Sequence, residues 1–384
     1  MVRLNPLLLL VLLPLLAGCY RSDPQGYLPG PGVAWSYSLG NARDLTADYI
    51  GDNIIVCSSS GALDWVDIRS GSVRYSVTDP QLYGNGLMWF ASPDGQVYYM
   101  LRDGYSSPVP GMPYQEKLSC RDSSGELQWE LLMPAGDSLT SSAIAADRLF
   151  LILESGNVMA VSRQGEMLWF RDLNAERLTG FAAFVSRQLV YLNRDGLLCV
   201  ADMEGAPIWR SEDSLGYFSS TLELADGSLA IYDYPLALRY YDPAGTLLWR
   251  ADFPDYQPGR GSLDGGDDVT EFSVDRMLDA LPGGGCAVAH PDGRISAFDA
   301  AGRQLWRSEA TGQAMLICAD ERGNVYGSVR GAELHAYDSQ GSLAWIEDKL
   351  GPMNSAPSVD GLGHVYVETG SYLFCLDPAI PEIR

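Results

Sequence analysis

Short apolar stretches alternate with turns of glycine, aspartate and proline along most of the chain. The unit that ends at Trp249 shows this pattern clearly, and it predicts four strands, at Ser220–Leu224, Ser228–Tyr232, Ala237–Tyr241 and Thr246–Trp249. Each stretch is rich in aliphatic and aromatic residues and is bounded by turn-forming residues, which is typical of short strands joined by hairpins. The pattern therefore predicts an all-β chain built from four-stranded units.

The unit recurs along the chain, and an aromatic residue marks the end of each copy. The spacings between successive aromatic anchors are 40, 54, 40, 40, 40, 57 and 39 residues, which is the self-similarity expected of a repeat architecture. The second anchor is Tyr75, and a glycine lies four residues before every anchor except the first. The other anchors and the glycines that precede them are Trp35, Trp129, Trp169, Trp209, Trp249, Trp306 and Trp345, with Gly125, Gly165, Gly205, Gly245, Gly302 and Gly341.

An aspartate lies seven residues before most of the anchors, so that an Asp-x-x-Gly turn precedes the last strand of the unit. Aspartate can accept hydrogen bonds from its own turn, and glycine takes the positive φ that closes a hairpin. Four-stranded units repeated radially make a β-propeller, and eight anchors predict eight blades.

The two ends of the chain carry complementary fragments of the unit. Trp35 has no strands before it, and Ser355–Asp377 supplies three strands without a terminal tryptophan. We therefore expect Val33–Ser38 to join the C-terminal blade as its fourth strand and to close the ring, which would remove the open sheet edges.

These units resemble the PQQ-like β-propeller repeats, whose Ala-x-Asp…Gly…Trp pattern is fullest at Ala297–Asp299 and Ala336–Asp338. The resemblance covers roughly residues 33–378. It implies that the tryptophans dock between neighbouring blades and that the glycines hold turns. The repeat occurs in enzymes and scaffolds alike, so the fold alone implies no activity.

The first residues have the pattern of an export signal. Arg3 precedes an apolar run, Leu7–Leu16, that is too short to span a bilayer as a mature helix. The run ends in Leu-Ala-Gly-Cys, which resembles a bacterial lipoprotein signal and implies cleavage before Cys19 and lipidation of that residue. Tyr20 in place of aspartate implies sorting to the outer membrane in a Gram-negative host. The alternative is an ordinary secretory signal with a chance cysteine.

Three segments follow from this reasoning. Residues 1–18 are predicted to be the signal peptide, residues 19–32 a lipidated Pro/Gly-rich tether, and residues 33–384 a single propeller domain. Acyl chains at Cys19 would hold the domain at a membrane surface.

Two longer spacings, 54 and 57, indicate insertions at Asp103–Glu116 and Phe253–Glu271. The first falls between the second and third strands of a blade, and the second falls between two blades, so antiparallel pairing places both on one face. Long loops on a rigid scaffold often carry function. The alternatives are solvated insertions without a partner, or a cation held by the aspartates, whose order does not match an EF-hand. The candidate partner-binding residues are Tyr105, Tyr114, Tyr256, Arg260, Asp264, Asp267 and Asp268.

No motif in the sequence indicates a catalytic, metal or cofactor site. The six cysteines after Cys19 form no CxxC, and they lack the adjacent pair that quinoprotein dehydrogenases of this repeat class carry. We expect them to be buried as small hydrophobic residues, although the exported location would permit disulfides that the sequence cannot pair. Of the three histidines, His290 is predicted to precede the turn between second and third strands, His335 to lie within a third strand and His364 to begin a second strand. The two strand ends point to opposite faces, so a zinc site or a histidine acid–base pair is not expected.

The charge balance excludes one class of partner. The chain has 49 acidic and 26 basic side chains, a formal net charge of −23, so a basic footprint for nucleic acid is absent. The turn aspartates, which recur with each unit, account for part of this charge.

A lipid anchor, a short tether and a propeller together resemble the propeller lipoproteins of the outer-membrane β-barrel assembly machinery. The resemblance implies a non-catalytic, membrane-anchored scaffold in the cell envelope that binds a membrane-embedded assembly subunit, on the periplasmic face of the outer membrane. One alternative is a cell-surface propeller that binds a polysaccharide, a peptide or a partner enzyme. Another is a PQQ-dependent or other propeller enzyme, for which the sequence shows no catalytic constellation.

Overall fold

The computed structural model describes most of the chain between Gly32 and Asp377. The described residues form β-strands and no α-helix, so the prediction of an all-β chain is confirmed for these residues. They include no helix that is long and apolar enough to cross a membrane. The described segments are 32–38, 48–50, 53–58, 62–78, 87–92, 95–101, 116–145, 147–175, 182–185, 188–215, 219–224, 226–233, 236–255, 277–313, 315–329, 333–353, 355–369 and 372–377.

The strands follow one another at short intervals in chain order. They are β1 (Val33–Ser38), β2 (Asp48–Ile50), β3 (Asn53–Ser58), β4 (Ala62–Asp67), β5 (Val73–Thr78), β6 (Leu87–Ala91), β7 (Val97–Leu101), β8 (Lys117–Arg121), β9 (Leu127–Leu132), β10 (Leu139–Ile144), β11 (Arg148–Leu153), β12 (Asn157–Ser162), β13 (Met167–Asp172), β14 (Ala182–Val185), β15 (Gln188–Leu192), β16 (Leu197–Ala201), β17 (Pro207–Ser214), β18 (Ser219–Glu223), β19 (Leu229–Asp233), β20 (Ala237–Tyr241), β21 (Leu247–Asp252), β22 (Leu278–Leu281), β23 (Gly285–Ala289), β24 (Ile295–Phe298), β25 (Gln304–Arg307), β26 (Met315–Ala319), β27 (Val325–Val329), β28 (Glu333–Tyr337), β29 (Leu343–Glu347), β30 (Ser358–Val359), β31 (Val365–Glu368) and β32 (Tyr372–Leu376).

The described strands pair into eight antiparallel sheets of four strands each. Sheets 1 to 7 take their strands in sequence order, beginning with β2–β5 as sheet 1, β6–β9 as sheet 2 and β10–β13 as sheet 3. Sheets 4, 5, 6 and 7 are β14–β17, β18–β21, β22–β25 and β26–β29. Sheet 8 consists of β30, β31 and β32, with β1 from the other end of the chain as its fourth strand.

Sheet 8 joins the two ends of the chain. β1 pairs antiparallel with β32, with Val33 opposite Leu376 and Ser38 opposite Tyr372. Trp35 on β1 is 5% exposed, and its indole nitrogen donates to the carbonyl of Ile68 in sheet 1 at 2.7 Å. The fourth strand of sheet 8 is thereby fastened to the first sheet.

The hydrophobic core lies between consecutive sheets. The second and third strands are buried along most of their length, as in β19 and β20, where every residue is buried. Trp35, Ile54, Val66 and Tyr366 pack together between sheets 8 and 1. Similar clusters join sheets 2 and 3, 3 and 4, 4 and 5, 5 to 7, and 7 and 8.

Each of six tryptophan anchors lies against the turn glycine of the next sheet. These six glycines have positive φ, and a Cβ atom built on any of them would lie between 2.5 and 2.9 Å from the facing indole. Only glycine therefore satisfies both the backbone conformation and the close approach. Tyr75 takes the same position against Gly125, with more room, since its Cδ1 would lie 3.6 Å from the built Cβ. The six pairs are Trp35–Gly71, Trp129–Gly165, Trp169–Gly205, Trp209–Gly245, Trp249–Gly302 and Trp306–Gly341.

The fourth strand of every sheet carries an irregularity just before its aromatic anchor. In sheet 5, for example, Tyr240 pairs with Trp249 whereas Tyr241 pairs with Leu247, which leaves one residue of β21 unpaired. The same register shift occurs in the other seven sheets. A bulge of this kind twists an edge strand and makes it a poor template for pairing with another chain.

Candidate protein-docking face

The sheets have two ends, which differ in their connections. We call the end with the connections between second and third strands, and between sheets, the loop face, and the opposite end the turn face. β7 and β21 end, and β8 and β22 begin, at the loop face, where the two insertions are predicted from the sequence. The seven candidate contact residues (Tyr105, Tyr114, Tyr256, Arg260, Asp264, Asp267 and Asp268) lie outside the described residues, as does Cys19.

The root of the first insertion is fixed by Glu116. Its side chain is 2% exposed, and its carboxylate accepts a hydrogen bond from the backbone amide of Leu139 at 3.2 Å. Its backbone carbonyl accepts a second one from the amide of Met133 at 2.8 Å. The sequence predicts Glu116 as the last residue of the insertion, but in the structure it belongs to the joint between sheets 2 and 3.

Backbone hydrogen bonds of the same kind occur on the loop face of other sheets. In each case, a backbone amide just after the fourth strand of a sheet donates to a carbonyl in or beside the connection between the second and third strands of the same sheet. Examples are Ala175 to Gly156 at 3.1 Å, Leu215 to Gly196 at 2.7 Å and Phe253 to Leu236 at 2.8 Å. The described part of the loop face is therefore a rigid base from which the insertions depart.

At the start of the second insertion, the aromatic rings of Phe253 and Tyr232 pack with His290. The ring of Phe253 lies 4.6 Å from that of His290 and 6.0 Å from that of Tyr232. His290 is fully buried, and its Nε2 lies 2.8 Å from the hydroxyl of Ser296. Burial first, and then the charge of Arg307, lowers the pKa of His290 to about 3. The imidazole is therefore neutral near pH 7 and cannot act there as a general acid.

A buried ion pair lies beside the same root. Arg239 is 5% exposed and donates to the carboxylate of Asp233 at 3.1 Å, within sheet 5. Its guanidinium also lies 3.8 Å from the carboxylate of Asp213 on β17, in sheet 4. The three side chains link two sheets, and sequence reasoning missed them because no local motif marks the pair.

Within the described segments, the other two histidines lie in separate sheets, each beside one carboxylate. His335 lies 2.8 Å from Glu333 in sheet 7, and His364 lies 2.9 Å from Asp360 in sheet 8. Among the described residues, no three His, Cys, Asp or Glu side chains are grouped so as to hold a metal ion. The side chains of Cys120, Cys199, Cys286, Cys318 and Cys375 are buried, as expected from their places in the strands.

The thiols are also poorly suited to chemistry. Burial raises the pKa of Cys286 to about 12, and it raises the pKa of Cys375 to about 12 despite a hydrogen bond with Tyr366. The pKa of Cys199 is likewise raised by burial. Since the thiolate is the nucleophile, these cysteines are inert near pH 7.

The turn face uses its aspartates to hold its own backbone. Asp242 accepts hydrogen bonds from the amides of Ala244 at 3.0 Å and Thr246 at 2.7 Å, while the amide of Gly245 donates to the carbonyl of Asp242. Hydrogen bonds from Ser124 lower the pKa of Asp122 in the equivalent turn. Part of the acidic excess therefore has a structural use.

The turn face carries a second turn motif, an aspartate bonded to a tyrosine six residues later, that the sequence analysis did not identify. In sheets 7 and 8 an aspartate accepts a hydrogen bond from a tyrosine six residues later, Tyr326 to Asp320 at 3.3 Å and Tyr366 to Asp360 at 2.9 Å. The signal was present as DERGNVY and DGLGHVY, with SPDGQVY as a third copy.

Comparisons with known proteins agree with this architecture. The crystal structure of BamB from Moraxella catarrhalis is similar with a TM-score of 0.65 at 16% sequence identity, and the match covers 90% of this chain and 97% of that one. The crystal structure of the computationally designed Ika8 protein is similar with a TM-score of 0.65 at 15% identity, covering 91% of this chain and 100% of that one. These likenesses show the fold, and no curated protein matches the chain.

The family comparison is more specific than the structural ones. The family described as outer membrane protein assembly factor BamB matches residues 115–276 and 291–376, which together make up more than half of the chain. The repeat tryptophans from Trp129 to Trp345 lie within these two ranges. The chain therefore belongs to the outer membrane protein assembly factor BamB family of PQQ-like β-propellers.

Proposed function

We propose that the protein is a non-catalytic scaffold that assists the assembly of outer-membrane proteins, and that it works from the periplasmic face of the outer membrane. The observation that carries this proposal is the match to the BamB family over more than half of the chain. The buried, neutral state of His290 and the raised pKa values of the thiols support the non-catalytic part.

The proposed architecture is a closed ring of eight blades, formed by residues 33–384. Three observations support closure: β1 completes sheet 8, Trp35 bonds to sheet 1, and the first and last sheets share a core cluster. A closed ring is a rigid support for loops, because each blade is held by two neighbours. Residues 1–18 would be the signal peptide and residues 19–32 the lipidated tether from Cys19.

The proposed docking surface is the loop face with its two insertions. Its described base is fastened by the Glu116 and Phe253 contacts, so the insertions would be presented from fixed points. A binding loop on a rigid base loses less conformational entropy on binding than a loop on a mobile one. The seven residues predicted from the sequence as partner contacts would lie in these insertions.

The experiment is a pull-down of the lipidated protein from a cell envelope after mild crosslinking. The proposal predicts recovery of the membrane-embedded subunit of the barrel-assembly machinery. Recovery of polysaccharide or of an unrelated surface protein, without that subunit, would favour the ligand-binding alternative and overturn the proposal. A variant lacking residues 103–115 is the matched control, and it keeps Glu116 because that side chain holds sheet 3.

A further inference from the structure

One exposed apolar residue departs from the pattern of all the others. Fourteen large hydrophobic side chains of the described residues are exposed, and thirteen of them lie on the fourth strands of the sheets. The exception is Leu362, which lies in the turn between β30 and β31 of sheet 8 and is the most exposed of the set at 68%. The other thirteen lie on the edge strand of a sheet, whereas Leu362 lies at the tip of a turn.

The turn that carries Leu362 is held rigidly and projects from the sheet. The carboxylate of Asp360 accepts hydrogen bonds from the amides of Leu362 at 2.9 Å and His364 at 2.8 Å. Asp360 is itself only 6% exposed, so the tip presents the leucine rather than the charge. A Cβ atom built on either flanking glycine, Gly361 or Gly363, would meet nothing within 4 Å. The leucine therefore stands on a fixed turn in open space.

The register of sheet 8 places this turn at the end where the N-terminal segment enters the fold. Val359 pairs with Val365, Val365 pairs with Leu376, and Leu376 pairs with Val33. The tip of the turn and Gly32 are thus on the same end of one sheet, the turn face. Since neighbouring strands lie about 4.8 Å apart, the tip is roughly 12 Å from the strand that continues into the N-terminal segment.

The length of chain before Gly32 determines what lies near that end. Thirteen residues, Tyr20–Gly32, separate the predicted lipid-bearing Cys19 from β1. A flexible chain of this length has a root-mean-square span of about 20 Å and a maximum near 45 Å. A bilayer that holds the lipid therefore lies within reach of the turn face of sheet 8, at an effective concentration on the order of millimolar.

We propose that the Leu362 turn is a membrane contact, which inserts its leucine into the headgroup boundary beside the lipid anchor. Insertion of a single leucine is weak on its own, and the tether makes it effective because the second contact becomes intramolecular. This contact would orient the turn face of sheet 8 towards the bilayer and the loop face away from the bilayer. On the loop face, a soluble domain of a partner could then reach the insertions. This inference rests on the lipid anchor in the proposed function.

The test uses the full-length lipidated protein in vesicles of phosphatidylethanolamine and phosphatidylglycerol. An environment-sensitive fluorophore is attached to Leu362→Cys, and lipids with nitroxide-labelled acyl chains serve as quencher. The matched control is Leu132→Cys, which is similarly exposed at 61% and lies opposite Lys117 at the loop-face end of β9. A sample without an introduced cysteine corrects for labelling of the native thiols.

We expect quenching at position 362 and none at position 132. In a Cys19→Ser, Leu362→Cys protein, which lacks the lipid, we expect about 100-fold more vesicle lipid to be needed for the same quenching. Absence of quenching at position 362 in protein that floats with the vesicles would overturn the contact while leaving the anchor intact. Protein that does not float would refute the anchor and the contact together. Shielding of position 362 in native envelopes but not in lipid vesicles would assign the leucine to a protein surface and overturn the proposal.

Discussion

The contact between Trp129 and Gly165 allows a sharp test of how neighbouring sheets are held together. Gly165 has a φ of +84°, and a Cβ atom there would lie 2.6 Å from Cδ2 of the Trp129 indole. The same indole donates to the carbonyl of Arg163 at 2.8 Å, so the ring cannot retreat without losing that bond. Gly165→Ala should therefore lower the free energy of unfolding for two separate reasons, the positive φ and the overlap with the indole.

The two costs can be separated with a second glycine, Gly136, which lies between β9 and β10. Gly136 has a similar φ of +77°, and a Cβ atom built there would meet nothing within 4 Å. Gly136→Ala should lower the free energy of unfolding only through the strain of alanine at positive φ, by about 1–2 kcal/mol. Gly165→Ala should lose that amount and about 1–3 kcal/mol more for the overlap with the indole, which totals about 2–5 kcal/mol.

The assay is urea unfolding of both variants, alone and combined with Trp129→Ala. Removal of the indole makes room for the new methyl group, so in that background the costs of Gly165→Ala and Gly136→Ala should converge. Equal costs in the presence of Trp129 would refute the reasoning that the glycine is required by the docked ring. A cost of Gly165→Ala that stays unchanged when the indole is removed would refute it as well.

Three further predictions follow from the described contacts. Arg239→Met should lower the free energy of unfolding in urea by about 3–5 kcal/mol because the buried Asp233 loses the charge of Arg239. Arg239→Met combined with Asp233→Leu should be near neutral, and equal losses in the single and double variants would contradict this. Burial raises the pKa of Asp360, but hydrogen bonds from His364 and Tyr366 together outweigh burial and lower this pKa below 3.8. The stabilisation by Asp360 is therefore present above about pH 4 and is lost as the pH falls through the lower folded pKa. Asp360→Asn should therefore be less stable than the wild type at neutral pH, with a difference that shrinks below about pH 4, and a difference independent of pH would contradict the assignment. Deletion of Val33–Ser38 should lower the thermal midpoint and admit proteases at sheet 8, and an unchanged midpoint would contradict the role of β1 in joining the ends of the chain.

Much of the fold was predictable because the repeat fixes local pattern and turn chemistry together. The four strands expected before Trp249 were placed within a few residues, and the third, Ala237–Tyr241, matches at both ends. The assignment of Val33–Ser38 to the last unit followed from completing the count, and the structure pairs this strand with β32.

The contacts between sheets were harder to predict from the sequence. The bulge before each anchor follows from how β21 and its counterparts pair with their partner strands, and a linear pattern does not contain that register. The bond from Trp129 to the Arg163 carbonyl and the pair between Arg239 and Asp233 depend on which residues face one another after folding. The second turn motif, by contrast, could have been found by aligning SPDGQVY, DERGNVY and DGLGHVY.

The candidate docking residues show another limit of the pattern. Insertions are recognised because they break the repeat, and a break in the repeat gives no information on what the loop contacts. Sequence reasoning located both loops between the correct strands, but it placed Glu116 in the first loop, and glutamate is a residue type that is usually exposed. Its burial depends on the amide of Leu139, which is remote in sequence.

The most direct test of the scaffold function is an affinity measurement between the purified lipidated protein and the purified membrane-embedded subunit of the barrel-assembly machinery. The intact protein should bind, and a variant whose residues 103–115 are replaced by a short turn should bind at least about tenfold more weakly while unfolding at the same urea concentration. Leu362→Ala, on the turn face, should leave the affinity in detergent unchanged. Absence of binding by the intact, folded protein would contradict the account.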